Sequence, residues 1–284
     1  MYRKVCTLVL LCGLLSLPSA TFAQASETRV LEGVAVTGLN ERLGEPIQDF
    51  GPPVGLFHFA TAAAHVPGAE CPADLSASTP GDTLLATTAD PAVLDVFGVD
   101  FDIIDPSLLN VPLRDVPSNV DPGGQVRQPL DDILGTHPLT PNQAHPSFPI
   151  TVEYWLRAEG TALIRCREGL PAEVTLSMRR LIPNRLYTVW GAFATPEGPR
   201  PLPVGGAPNT FVTDDRGDAR FSRLLNYCPF EDTVDGGRLL SIIAVLHSDH
   251  MVYAREPALP HAGLPPGVVA HAHLEFSVAG QPLP

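Results

Sequence analysis

The sequence predicts a mainly β protein built as an antiparallel β-sandwich, and three observations carry that prediction. From Ile150 onward, short alternating or apolar segments follow one another, eight in all, each of strand length. Turn residues separate them, as in "TDDRGDARF", where Asp214, Asp215 and Gly217 lie between two alternating runs. Finally, 31 prolines and 24 glycines leave little room for long helices.

Taken in chain order, the first segment is "MYRKVCTLVLLCGLLSLPSATFAQAS". A basic tip (Arg3, Lys4), an apolar run from Val5 to Leu17 and small residues around Ala23 give the layout of a secretory signal peptide, residues 1–23. Cleavage after Ala25 is the second choice. The apolar run falls short of the roughly 20 residues that a spanning helix needs, so no membrane insertion is expected. Cys12 follows Leu11 rather than a small residue, which argues against lipidation. Export to the periplasm or beyond the cell is the expected localisation.

Residues 24–149 read as an N-terminal strand followed by a Pro/Asp-rich irregular region. "RVLEGVAVTGL" (Arg29–Leu39) is a candidate edge strand for the later sandwich. If it joins that sheet, residues 45–149 are an insertion into one unit; otherwise the N-terminal half forms a cap of its own. Short helical turns are expected near Pro91–Phe97 and Leu130–Leu134. Between Pro91 and Pro149 proline and aspartate break any long helix, and a loop of that length is uncommon inside a compact domain unless it is functional or flexible.

Residues 150–284 form the expected sandwich domain. Its candidate strands are Ile150–Ala158, Ala162–Arg167, Ala172–Leu181, Arg185–Ala194, Asn209–Thr213, Ala219–Leu224, Arg238–His247 and Val268–Val278. Within this region "RLIPNRLYTVWGAF" resembles the segment of fibronectin type III and other immunoglobulin-like domains in which a Leu-x-Pro-Asn turn feeds a Tyr-containing strand. Leu181, Pro183, Asn184, Leu186, Tyr187 and Trp190 carry the likeness. It covers about a dozen residues and implies an immunoglobulin-like sandwich of the kind found in exported bacterial proteins, without implying an activity.

Charge narrows the partners. Taking Arg3 and Lys4 from the 18 basic residues leaves 16, all arginine, against 31 acidic ones, a net charge near −15. Such a surface repels nucleic acid and anionic membrane. Lys4 is the only lysine, so no lysine is available for catalysis after cleavage. The expected partner is an unidentified protein or small ligand. Cys71, Cys166 and Cys228 outlast the signal peptide, and an oxidising compartment favours one disulfide. Three pairings exist; Cys166 with Cys228 is favoured because both lie in the strand-rich half. Cys71 is then a buried thiol or a ligand.

The residues closest to chemistry are histidines. "HSDHMVYAREPALPHAGLPPGVVAHAHLEF" (His247–Phe276) holds five of the nine in the chain. Strand alternation puts Ala270, Ala272, Leu274, Phe276 and Val278 on a core face and His271, His273 and Glu275 on the other. Antiparallel pairing with the strand ending at His247 brings His247 and His250 toward His271, with His261 and Asp249 in the connection between. His247, His250, His271 and His273 are thus candidate metal ligands, His261 and Asp249 possible additions, and copper or zinc the metals that imidazole favours. The plainer expectation is a polar outer face of solvent-exposed histidines with no cofactor.

Known site patterns do not complete the metal reading. A blue-copper site needs a cysteine beside "HSDHM", and none is near in sequence. "VVAHAHLEF", "TDDRGDARF" and "GGRLLSIIAVLHSD" resemble the His-x-His strand, the Asp-Gly hairpin and a late strand of copper–zinc superoxide dismutases, but their order in this chain differs from that family's. Gly-x-Ser-x-Gly, His-Glu-x-x-His and Gly-rich phosphate loops are absent. His58, His65 and Cys71 match no zinc-knuckle spacing. Arg216-Gly217-Asp218 spells an adhesion tripeptide, and Asp214, Asp215 and Asp218 form an acidic turn that reads as solvated rather than calcium-binding. The leading expectation is an exported, non-catalytic binding or structural protein; the alternative is a copper- or zinc-binding protein, redox-active in one form.

Overall fold

Alternation fixes the faces of the strands through the middle of the chain. In "GTALIRC", Ala162, Ile164 and Cys166 are buried while Thr161, Leu163 and Arg165 are partly exposed, as a strand with one wet face requires. The computed structural model describes residues 26–48, 75–87, 111–115, 148–196, 198–206, 209–230, 233–234, 237–248 and 270–278. In order, its elements begin with β1 (Ser26–Ala35) and the short ladders β2 (Glu41–Arg42) with β3 (Glu45–Pro46) and β4 (Ala86–Thr87) with β5 (Val111–Pro112). After the one-turn helix α1 (Val152–Trp155) come β6 (Glu159–Arg167), β7 (Leu170–Arg179), β8 (Leu186–Thr195), β9 (Gly198–Pro203) and β10 (Thr210–Val212). β11 (Ala219–Leu225), β12 (Thr233–Val234), β13 (Gly237–His247) and β14 (Ala270–Ser277) follow.

The long strands make one antiparallel sheet with the order β10-β8-β13-β14-β1-β6-β7-β11; β9 adds to β8 and β12 to β13. The sheet curls into a half-barrel. Its terminal strands β10 and β11 come together, with the rings of Phe211 and Phe221 6.3 Å apart. The concave side holds Leu31, Ile164, Val174, Leu176, Val189, Phe193, Ile242, Leu274 and Phe276, all buried in one cluster. Gly33 and Gly160 face each other in the β1–β6 ladder. A Cβ on Gly33 would stand 2.8 Å from Phe276 Cε1, and one on Gly160 2.9 Å from Leu274 Cδ2. The two glycines therefore make the space those side chains fill.

The two halves of the sheet differ on the convex side. Around β1, β6, β7 and β11 it is wet, and Val30, Leu170 and Leu224 are more than half exposed. Across β8, β13 and β14 it is buried as well. β13 accordingly reads as a continuous apolar run, "LLSIIAVL", whereas β14 keeps an alternating sequence although both of its faces are buried.

Several sequence expectations are met. β13 and β14 pair antiparallel, and β6, β7, β8, β10 and β11 fall on their predicted segments within a few residues. Cys166 and Cys228 form the disulfide, with Cα atoms 5.6 Å apart.

Others are corrected. Ile150–Ala158 is not a strand. Thr151, in an extended conformation, caps α1 by accepting the Tyr154 N–H at 3.2 Å, and the buried pair Val152 and Trp155 has helical spacing. Arg29–Leu39 does not supply an edge: β1 lies inside the sheet, between β14 and β6, and ends at Ala35. β9, "GPRPLP", escaped prediction because of its prolines, but alternate prolines on an edge strand all turn their missing N–H away from the partner. The signal segment, the two expected helical turns, His58, His65, Cys71, Asp249, His250 and His261 lie outside the described residues. No helix among those described is long and apolar enough to cross a membrane.

Candidate functional site

The histidine-bearing strand contains a β-bulge, and that bulge overturns the predicted facing. Along the β13–β14 ladder Ala244 pairs with Leu274, but the next residue, Val245, pairs with Ala272, so His273 is the extra residue. One inserted residue reverses the alternation on its far side. His271 pairs with Leu246 and shares its concave side, whereas Glu275 keeps the convex side beside Ile243. His271, His273 and Glu275 are all fully buried, so the expected solvent-exposed polar face does not exist.

His273 is held by a chain of hydrogen bonds. Ile182 N–H donates to Tyr187 Oη at 3.0 Å, and Tyr187 Oη lies 2.8 Å from His273 Nδ1. His273 Nε2 lies 2.9 Å from the carbonyl of Trp155. A carbonyl only accepts, so Nε2 carries the proton and Nδ1 accepts from the tyrosine. The imidazole also stacks on the Trp155 ring, centroids 3.6 Å apart, while Trp155 Nε1 donates to Val36 O at 2.7 Å and Val36 N–H to His273 O at 3.0 Å. α1, β8, β14 and the end of β1 are thereby tied together. Burial keeps the imidazole neutral, its pKa lowered to about 3 against a smaller opposing effect of the Trp155 carbonyl.

His247 sits on the opposite side of the sheet. Trp190 Nε1 donates to Thr188 Oγ1 at 2.6 Å, and Thr188 Oγ1 lies 2.7 Å from His247 Nε2. The indole can only donate, so Thr188 Oγ1 accepts from Trp190 and shares one further proton, its own or the ring's, with His247 Nε2. Desolvation lowers this pKa to about 3 also. His271 Nε2 meets Ser248 Oγ at 3.3 Å.

Glu275 makes a third buried polar group. Its carboxylate accepts from Asn40 N–H at 2.9 Å and from Gln48 Nε2 at 3.0 Å, and Ser277 Oγ donates to Gln48 Oε1. Burial raises its pKa to about 7, opposed by its hydrogen bonds to Ser241, Asn40 and Gln48. These contacts fasten residues 40–48 to β14.

Of the predicted metal set, His247, His271 and His273 lie among the described residues and His250 does not. His247 and His271 occupy adjacent ladder positions but opposite faces, and no group of three His, Cys, Asp or Glu suited to a metal occurs among the described residues. His273 has both ring nitrogens committed to protein and so offers no free electron pair to copper or zinc, while His247 Nε2 is engaged by Thr188. In the acidic turn, Asp214 Oδ1 accepts the N–H groups of Arg216 and Asp218. Sequence reasoning missed Trp155, Tyr187, Thr188 and Trp190 as the histidines' partners. Tyr187 and Trp190 stood in a quoted motif, but only the register of β8 against β13 reveals what they reach. Compared with family models, curated proteins and solved structures, the chain matches none.

Proposed function

We propose that the protein is exported and serves a non-catalytic binding or structural role in the periplasm or at the cell surface, on an immunoglobulin-like sandwich scaffold. The observation that carries this reading is the use of its most reactive-looking side chains: the imidazoles of His247 and His273 are buried, neutral and engaged by hydroxyl and carbonyl groups, so they serve packing rather than a reaction. The disulfide supports an oxidising compartment. The bond from Ile182 N–H back to Tyr187 Oη has the form of a tyrosine corner, which supports the immunoglobulin-like comparison.

Fractionation of expressing cells, mass spectrometry and metal analysis together test the proposal. The expected protein is exported, lacks residues 1–23, is oxidised at Cys166 and Cys228, and is free of stoichiometric metal after dialysis. Cytosolic recovery with Met1 retained overturns export. Near-stoichiometric copper or zinc would instead support the metal-dependent alternative.

A further inference from the structure

At one end of the half-barrel, three arginines and a tyrosine from separate elements border a cleft of about 470 Å³: Tyr154 and Arg157 at α1, Arg180 after β7 and Arg216 in the β10–β11 hairpin. In a chain with a large acidic excess, such a gathering of cations needs a reason. The backbone imposes it. Leu181 N–H donates to Gly217 O at 3.0 Å, and the approach is so close that a Cβ on Gly217 would lie 2.1 Å from Leu181 O. Arg180 and Arg216, each next to one of these residues, are therefore fixed as neighbours.

Arg157, Arg180 and Arg216 are all exposed, and two details set them apart from scattered surface charge. Arg157 is ion-paired with Glu153 at 2.8 Å, but among the described residues neither Arg180 nor Arg216 has an acidic partner. Asp214, two residues before Arg216, spends Oδ1 on its own turn, and Asp215, the residue immediately before it, forms no ion pair with it. Arg180 also has φ 58°, a left-handed conformation that favours glycine, although the site carries a long cation. Two unpaired guanidiniums held side by side repel one another, and a bound anion would relieve that repulsion. Tyr154, whose ring lies against Phe148 at 4.6 Å, also borders the cleft, and its half-buried phenol has its pKa raised by burial.

We propose that this cleft binds a small oxyanion carrying two or more negative charges, of the phosphate-monoester or diphosphate class. Guanidinium groups match such oxygens with paired N–H donors, which a single-charge halide cannot exploit. The proposal supplies a ligand class for the binding role above and depends on that role only for its biological setting. Because it is tested with purified protein, failure to bind would leave the export reading standing.

The experiment is calorimetric titration of inorganic pyrophosphate and phenyl phosphate into the oxidised, mature protein at low salt, with chloride at matched ionic strength as reference. Saturable binding below about 1 mM is expected, weakening as salt screens the exposed guanidiniums. Paired Arg180→Gln and Arg216→Gln substitutions should weaken it about tenfold or more, whereas Arg220→Gln, on exposed β11 away from the cleft, should change it less than about twofold. Arg180→Gly separates binding from folding: it relieves the backbone, so the melting temperature should hold or rise while affinity falls. No saturation by about 10 mM in the parent, or equal affinity in the paired variant, overturns the proposal.

Discussion

Removing the imidazole of His273 should cost the protein much of its stability. His273→Ala leaves the Tyr187 hydroxyl and the Trp155 carbonyl buried without their partner, at about 1–3 kcal/mol each. It also forfeits the stack on Trp155, about 0.5–1.5 kcal/mol. The sum, about 2.5–7.5 kcal/mol, is comparable to the whole stability of many domains. Urea melts in chelator near neutral pH measure it. The variant carries a second signature. Burial lowers the folded pKa to about 3 from the ordinary 6.5, so between these values the unfolded chain takes a proton that the folded one refuses. Stability must fall with falling pH across that window, by about 1.4 kcal/mol per unit from this residue, and His273→Ala should remove that share of the slope. A loss below about 1 kcal/mol, or an unchanged acid slope, would refute the reasoning.

Glu275 works in the opposite direction. Its folded pKa, raised to about 7, makes the folded state the proton binder, so its contribution is present below about 4.5 and lost as pH rises to about 7. Glu275→Gln should therefore gain about 2–3 kcal/mol on the parent between pH ~5 and ~8, read from paired urea melts; no relative change would contradict the burial. Reducing Cys166–Cys228, which are separated by 62 residues, should lower stability by about 4 kcal/mol in denaturant melts with and without reductant. Phe276→Ala should cost about 3–5 kcal/mol through the cavity left against Gly33, and a cost near zero would mean that the strand faces are misassigned.

Strand content and order were legible because a strand's facing is written locally. In β6 each residue's burial follows from its neighbours' polarity, and β13's unbroken apolar run correctly marked a strand inside the sheet. The candidate site was less legible. Its geometry turns on one inserted residue in β14, and "AHAHLEF" reads as perfect alternation whether or not a bulge is present. The place of β1 was hidden for a similar reason: pairing across more than a hundred intervening residues leaves no trace in local pattern. α1 was mistaken for a strand because "ITVEYWLRA" is rich in β-formers, and the cap at Thr151 outweighed that propensity. The disulfide came from compartment, counting and the placing of Cys166 and Cys228 in the strand-rich half, none of which depends on register.

The central claim, that the histidines are buried structural groups, is tested most directly by ¹⁵N NMR of the imidazole rings. His273 should show a protonated Nε2 and an accepting Nδ1, keep that state between about pH 5 and pH 8, and remain unshifted by a stoichiometric amount of Zn²⁺. A ring that titrates near 6.5, or whose resonances move on adding the metal, would contradict the account.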